Sequence, residues 1–279
     1  MVNEQSMQFL QTLTLEIARK EIKLPSFPDA VIQIRDALEQ EDCDIEKVSD
    51  LASLETVLAS RLLQSANSAF YNAGGQQISN LRAAVMRLGL NEVRNMAIAV
   101  AVEQIFMAKD HPSIADDLAM LWRRSIALSS VAYVLAERCS KVSPQLAFIC
   151  GLLHEVGKLY ILIKAVDFPE VTVDLDARSD DQGSWHPQVG RCIVEGWGFD
   201  DVIAETLEPA QGLDGLVAEE PVLLDVVFGA ELLCAKGADE AIDFTDRSLA
   251  RLSLDEERLA ELQPVIDERM QAMMQTLGG

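Results

Sequence analysis

SPQLAFICGLLHEVGKLYILI, residues 143–163, decides how this chain folds. Ser143 is a good N-cap and Pro144 suits the first helical position, where a missing N–H costs nothing. Leu146, Ile149, Cys150, Leu153, Val156 and Tyr160 recur at helical spacing, so the stretch predicts one helix with apolar surface broad enough to be largely buried. His154 and Glu155 interrupt that surface. A charge in such a helix must find a counter-charge, a metal or a proton, because an isolated buried charge costs several kcal/mol. Function is therefore sought here first.

Outward from this stretch the pattern stays helical. Phe9, Leu10, Leu13 and Ile17 predict an amphipathic first helix, which the prolines of LPSFP (24–28) stop. Helical spacing resumes from Asp29 to Leu38, and Asp44 is a candidate N-cap for the helix after it. Residues 54–71 carry another, followed by turn chemistry at 72–75. Ser79, Gly89 and Asn91 read as cap, stop and cap of a helical hairpin over 79–88 and 92–108. Further helices are expected at about 114–140, from a Ser184 cap onward, from Phe199-Asp200 to Pro209, and from Pro221 to Gly237. Last comes a stripe of Leu259, Leu262, Ile266, Met270, Met273 and Leu277 interrupted at Pro264. That stripe reads first as core packing and second as an adaptable partner surface. VTVDLD at 171–176 is the single strand-like alternation, and no 20- to 50-residue period repeats. The class is all-α.

The 279 residues carry a formal charge of −22 with a pI near 4.4. Both a nucleic-acid backbone and an anionic membrane surface need clustered Lys and Arg, so this balance argues against either as partner. The five cysteines, at 43, 139, 150, 192 and 234, form no CxxC pair and read as small core residues of a reducing compartment. No secretory signal opens the sequence and no uninterrupted apolar run approaches the roughly 18 residues of a membrane span, so a cytoplasmic protein is expected.

GLLHEVGKL (151–159) resembles the signature of the HD superfamily of metal-dependent phosphohydrolases, in which adjacent His and Asp on one helix ligate a metal. Here the Asp is Glu155. LPSFP, LLQSANSAFY (62–71), ISNLRAAVMRLG (78–89), Trp122, and His186 with Val189-Gly190 resemble landmarks of one branch, the HDOD (HD-related output domain) family, which is regarded as regulatory. The resemblance spans about 22–236. It implies an N-terminal helical lobe (22–113) packed on a degenerate HD-like bundle (114–236), with an N-terminal helix (1–21) before and a C-terminal helical extension (237–279) after.

The same resemblance places a degenerate metal-site cavity at Arg124, His154, Glu155, His186 and Glu231, with Asp225 as the alternative to Glu231 for the last ligand position. Arg124 stands where the catalytic family carries a ligand histidine, and a guanidinium does not ligate. Glu208 and Pro209 lie where relatives with an extended site carry further histidines. The expectation is a non-catalytic regulatory module that binds a protein partner or a small signal, needs no cofactor, and has a homodimer through its terminal helices open to it. The alternative is a phosphohydrolase with a reduced mononuclear site, its divalent metal on His154, His186, Glu155 and Glu231, and Lys158 and Glu155 as catalytic groups. In the regulatory reading Arg124 replaces the metal's charge by engaging the carboxylates of Glu155 and Glu231.

Overall fold

Ser143 Oγ accepts the Leu146 N–H at 3.3 Å, so the helix at the centre of the argument starts where its cap residue and Pro144 direct it. It does not run on to 163. In the computed structural model the chain turns at His154 and Glu155, whose ψ of 0° closes one helix and whose carbonyl opens the next.

The structure describes residues 4–19, 22, 29–38, 44–72, 75–107, 111–176, 185–208, 220–235 and 242–277. Among these the helices are α1 (Glu4–Arg19), α2 (Asp29–Leu38), α3 (Ile45–Ser53), α4 (Thr56–Ala66), α5 (Leu81–Leu88), α6 (Leu90–Phe106), α7 (Ala115–Cys139), α8 (Pro144–Leu153), α9 (Val156–Ala165), α10 (His186–Gly196), α11 (Asp201–Leu207), α12 (Leu223–Ala235), α13 (Arg247–Arg251) and α14 (Glu256–Leu277). No strand occurs among the described residues, and 171–174 is irregular, so the VTVDLD alternation forms none. LPSFP, Ser184, Pro209 and Gly237 lie outside the described residues.

Two compact units emerge, Met1–Pro25 with Phe106–Glu256, and Ser26–Ile105 with Glu257–Gly279. The terminal helices thus belong to the units themselves, and the boundaries expected at 22, 114 and 237 do not coincide with these.

In the first unit α7 packs on α8, α9 and α12, and α10 on α9 and α11. Two glycines permit the closest approaches. A Cβ on Gly151 would stand 2.7 Å from Ser129 Cα of α7, and one on Gly157 would stand 1.9 Å from the His186 carbonyl oxygen of α10. Trp122, fully buried, meets Phe106 at 5.6 Å between ring centroids. α1 joins this unit through Leu13 and Phe9, the latter edge-on to Phe168 at 5.4 Å. Glu16 completes the attachment, accepting from Tyr160 Oη at 2.8 Å and from Lys164 Nζ at 2.5 Å. Burying two such apolar side chains contributes roughly 3–6 kcal/mol.

The stretches Pro112–Cys139 and Pro144–Ala165 are long and apolar enough to cross a membrane, yet 67% and 83% of their most apolar windows are buried inside the fold. Their apolar surface packs on neighbouring helices of the same unit.

In the second unit Asp44 caps α3 through the Lys47 N–H at 2.6 Å. The cap of α5 is Asn80, not Ser79: its Oδ1 accepts the Ala83 N–H at 2.8 Å. Gly89 takes φ of 81°, a conformation that glycine adopts without strain, and α6 begins at the next residue, which leaves Asn91 inside the first turn rather than at the cap. α14 continues through Pro264 without a break, and Leu262, Ile266, Met273 and Leu277 are buried, so the stripe is core. Arg269 of α14 is buried, lies 3.6 Å from Glu92 and sits over the Phe70 ring at 5.7 Å.

Candidate functional site

Five helices of the first unit bring the expected residues together. Arg124 comes from α7, His154 and Glu155 from the turn between α8 and α9, Lys158 from α9, His186 from the start of α10, and Glu231 from α12. His154, Glu155, Lys158, His186 and Glu231 are all buried. The turn at 154–155 aims the chain so that Gly157 meets the His186 backbone, and the break in the helix is thereby what seats α10 on the site.

The contacts pair these residues differently from the expectation. His154 Nε2 stands 3.3 Å from Glu231 Oε1, and its ring is edge-on to Phe228 at 6.1 Å. Lys158 Nζ lies 3.3 Å from Glu155 Oε1 and 3.2 Å from Oε2. Arg124 does line the same small cavity as Glu155, Lys158, Glu231, Leu128 and Cys234. Its Nη1, however, donates to the Leu175 carbonyl at 2.7 Å and to Asp176 Oδ1 at 2.8 Å. The cation against Glu155 is therefore Lys158, while Arg124 ties down the chain that follows α9. The physical reason is reach: Lys158 follows Glu155 by three residues, which places the two side chains on one helical face.

Asp225, the alternative to Glu231, is excluded from the cavity. It is fully buried in the first turn of α12, where Oδ2 accepts from Arg251 Nε and from the Val222 N–H, each at 2.8 Å. Those bonds make it a strut between α12 and α13.

Electrostatics follow from this arrangement. Burial, then the positive charge of Lys158, then His154, push the His186 imidazole down to about 3, with Glu231 opposing and Arg124 adding to the shift. His186 is thus neutral at physiological pH. Lys158 stands against Glu155, Arg124 is paired with Asp176, and Glu231 faces His154. Cys150, the other reactive group on α8, is buried and its thiol is pushed up to about 12 by desolvation, which removes it as a nucleophile.

These residues do not fit a divalent metal. The cavity measures ≈ 10 Å³, about the ~10–15 Å³ that a single water needs. The Lys158 ammonium donates to Glu155 Oε1 and stands 3.2 Å from Oε2, and with Arg124 it puts two cationic side chains on the cavity that an ion would have to enter. Among the described residues no three His, Cys, Asp or Glu side chains converge on one point. A ligating site needs its donors within tenths of an ångström of ideal distances, and a lysine within contact of the first donor opposes that.

Sequence reasoning missed Leu175 and Asp176. Both close VTVDLD, whose alternation reads as a strand rather than as part of a site, and a backbone carbonyl leaves no mark in the sequence. Cys234, one turn beyond Glu231, was legible only as core.

A helical bundle that brings Arg124, His154, Glu155, Lys158, His186 and Glu231 together from separate helices defines the class. The HDOD domain model matches residues 24–211, about two thirds of the chain, and the chain belongs to that family. It is similar to an HDOD domain protein of unknown function from Geobacter sulfurreducens, with 26% identity, 96% of this chain and 99% of that one covered, and a TM-score of 0.70. A Shewanella amazonensis SB2B protein, provisionally assigned as a metal-dependent phosphohydrolase, shares the fold with a TM-score of 0.72 at 20% identity over 99% of this chain and 100% of that one. An uncharacterized Treponema pallidum protein is 24% identical over 77% of this chain, and the chain spans 43% of that relative's length.

Proposed function

We propose that this chain is a non-catalytic signalling module of the cytoplasm that acts by binding a protein partner, and that its HD-type cavity is a structural relic. The observation that carries this reading is the buried Lys158–Glu155 pair, 3.2 Å apart. Phosphoester hydrolysis at such a site requires a cation that polarises the phosphoryl oxygen and generates hydroxide near neutral pH, with a coordination position left open. An ammonium supplies charge but neither an open coordination position nor a bound hydroxide. Membership of the HDOD family supports a regulatory role, and the charge of −22 speaks against nucleic acid or an anionic membrane as the partner.

A reduced mononuclear hydrolase is the second reading. It is favoured by the approach of His154 Nε2 to Glu231 Oε1 at 3.3 Å and by the neutrality of His186, which leaves an imidazole lone pair. A homodimer through the terminal helices has less support, since Leu13 and Met273 on those helices are buried within the chain. The test is turnover of phosphomonoesters, nucleotides and cyclic dinucleotides with Mg²⁺, Mn²⁺ or Fe²⁺. The expected result is no turnover above that of a His154→Ala variant. Turnover that His154→Ala abolishes would overturn the reading in favour of the hydrolase.

A further inference from the structure

Three polar side chains that are each more than nine-tenths buried, Glu155, Lys158 and Glu231, share the small cavity beside His154 with Arg124, Leu128 and Cys234. At ≈ 10 Å³ it has room for a single heavy atom. Hydrogen bonding around it is incomplete. Lys158 Nζ carries three N–H donors and gives one to Glu155 Oε1 at 3.3 Å. Glu155 Oε2 stands 3.2 Å from the same ammonium, is buried, and accepts no hydrogen bond from the protein. A buried carboxylate oxygen in that state destabilises a fold, and such oxygens are bonded in the large majority of proteins to protein groups or to ordered water.

Size and charge fix what can complete these bonds. Room for one heavy atom excludes a carboxylate, a phosphate or any organic ligand. Both signs of charge line the walls, so a cation would lie against Lys158 and Arg124, and an anion against Glu155 and Glu231. The occupant is therefore neutral. It must also accept from ammonium and guanidinium N–H groups while donating to carboxylates. Water does both, and four polar side chains surround the position, within the two to four partners that a buried water takes.

We infer that one internal water sits in this cavity, at the place the sequence resemblance assigns to a metal, accepting from Lys158 and Arg124 and donating to Glu155 and Glu231. It joins the Lys158–Glu155 contact to the His154–Glu231 contact in one hydrogen-bonded network. Through Arg124, which donates to the Leu175 carbonyl at 2.7 Å, that network reaches the segment after α9. The inference rests on the reading of the cavity as metal-free, and it names what the cavity holds instead.

Two measurements on the full chain test it. Leu128 lines the cavity and is only 2% exposed, so a nuclear Overhauser cross-peak between its methyl groups and water reports an internal molecule. Wild type is expected to show that cross-peak. Cys234→Met, whose longer side chain fills the cavity, is expected to lose it. A cross-peak that survives in Cys234→Met arises from exchanging lysine protons and overturns the proposal, as does the lack of one in wild type. The second measurement needs no variant. In crystals grown without divalent metal, density for one water is expected within about 3.2 Å of at least two of the Lys158, Arg124, Glu155 and Glu231 side chains. A dry cavity overturns the proposal and leaves the metal-free reading standing. An anomalous peak in the cavity after soaking with Mn²⁺ sinks that reading and the proposal with it, so the two failures are distinguishable.

Discussion

Lys158 Nζ lies 3.2 Å from Glu155 Oε2 with both side chains almost wholly buried, so a lysine and a glutamate three residues apart neutralise each other inside the bundle. A pair this deeply buried is worth little against an apolar replacement of both members, but removing one member leaves the other's charge stranded. Lys158→Met is expected to destabilise the fold by about 3–5 kcal/mol. The double variant Lys158→Met with Glu155→Gln should recover more than half of that loss. Chemical denaturation of the two single variants and the double variant measures the coupling, and strictly additive losses would show that the pair is not coupled.

Arg124 gives the opposite expectation. Its side chain is 24% exposed and its ionic partner Asp176 is 93% exposed, so the pair is screened by solvent. Arg124→Ala should cost about 1 kcal/mol or less, and hydrogen exchange of the amides at 171–176 should quicken because the Leu175 carbonyl loses its donor. A loss of the size predicted for Lys158→Met would mean that Arg124 serves the buried carboxylates after all.

His186 sets a pH dependence. Its folded value of about 3 is depressed below the ~6.5 of an unfolded histidine, so the unfolded chain binds the extra proton between those two values. Stability from this group is complete above about pH 6.5 and falls as pH drops towards 3, with a slope of at most about 1.4 kcal/mol per pH unit. Melting curves of wild type and His186→Gln between about pH 5 and 7 should converge at the acid end. Parallel curves would show that the imidazole keeps an ordinary affinity for protons in the fold.

Gly157 and Gly196 form a matched pair of tests. A Cβ on Gly157 would meet the His186 carbonyl oxygen at 1.9 Å, whereas one on Gly196 meets nothing within 4 Å. Gly157→Ala should force α9 away from α10 and cost roughly 3 kcal/mol or more. Gly196→Ala should be neutral or stabilise by about 0.4–1 kcal/mol. Equal effects in thermal unfolding would mean that α9 and α10 do not approach this closely.

Much of this was legible beforehand, and particular residues show where legibility stopped. Apolar spacing marks which face of a helix is buried, and the caps at Ser143 and Asp44 follow from side chains that can reach a free N–H. The interruption of an apolar run by His154 and Glu155 located the cavity. Spacing carries no distances, however, so it could not say that Glu155 meets Lys158 rather than Arg124. Nor could it show that the helix breaks at 154–155, because that turn goes with the close approach of Gly157 to α10, a contact between residues far apart in sequence. The cap at Asn80 instead of Ser79 is a choice between two adjacent capping residues, settled by which side chain reaches Ala83. Asp225 and Glu231 are both buried acids of α12, and only the position of Arg251 separates strut from cavity.

The central claim is that Lys158, not a metal, neutralises the Glu155 carboxylate beside His154, and calorimetric titration of the metal-free chain with Mn²⁺ tests it most directly. The account predicts no saturable heat and no thermal stabilisation at any concentration where a native metal, at ~100 times its dissociation constant, would add roughly 2.7 kcal/mol. One equivalent of Mn²⁺ bound by wild type and lost in both His154→Ala and Glu231→Gln would contradict it.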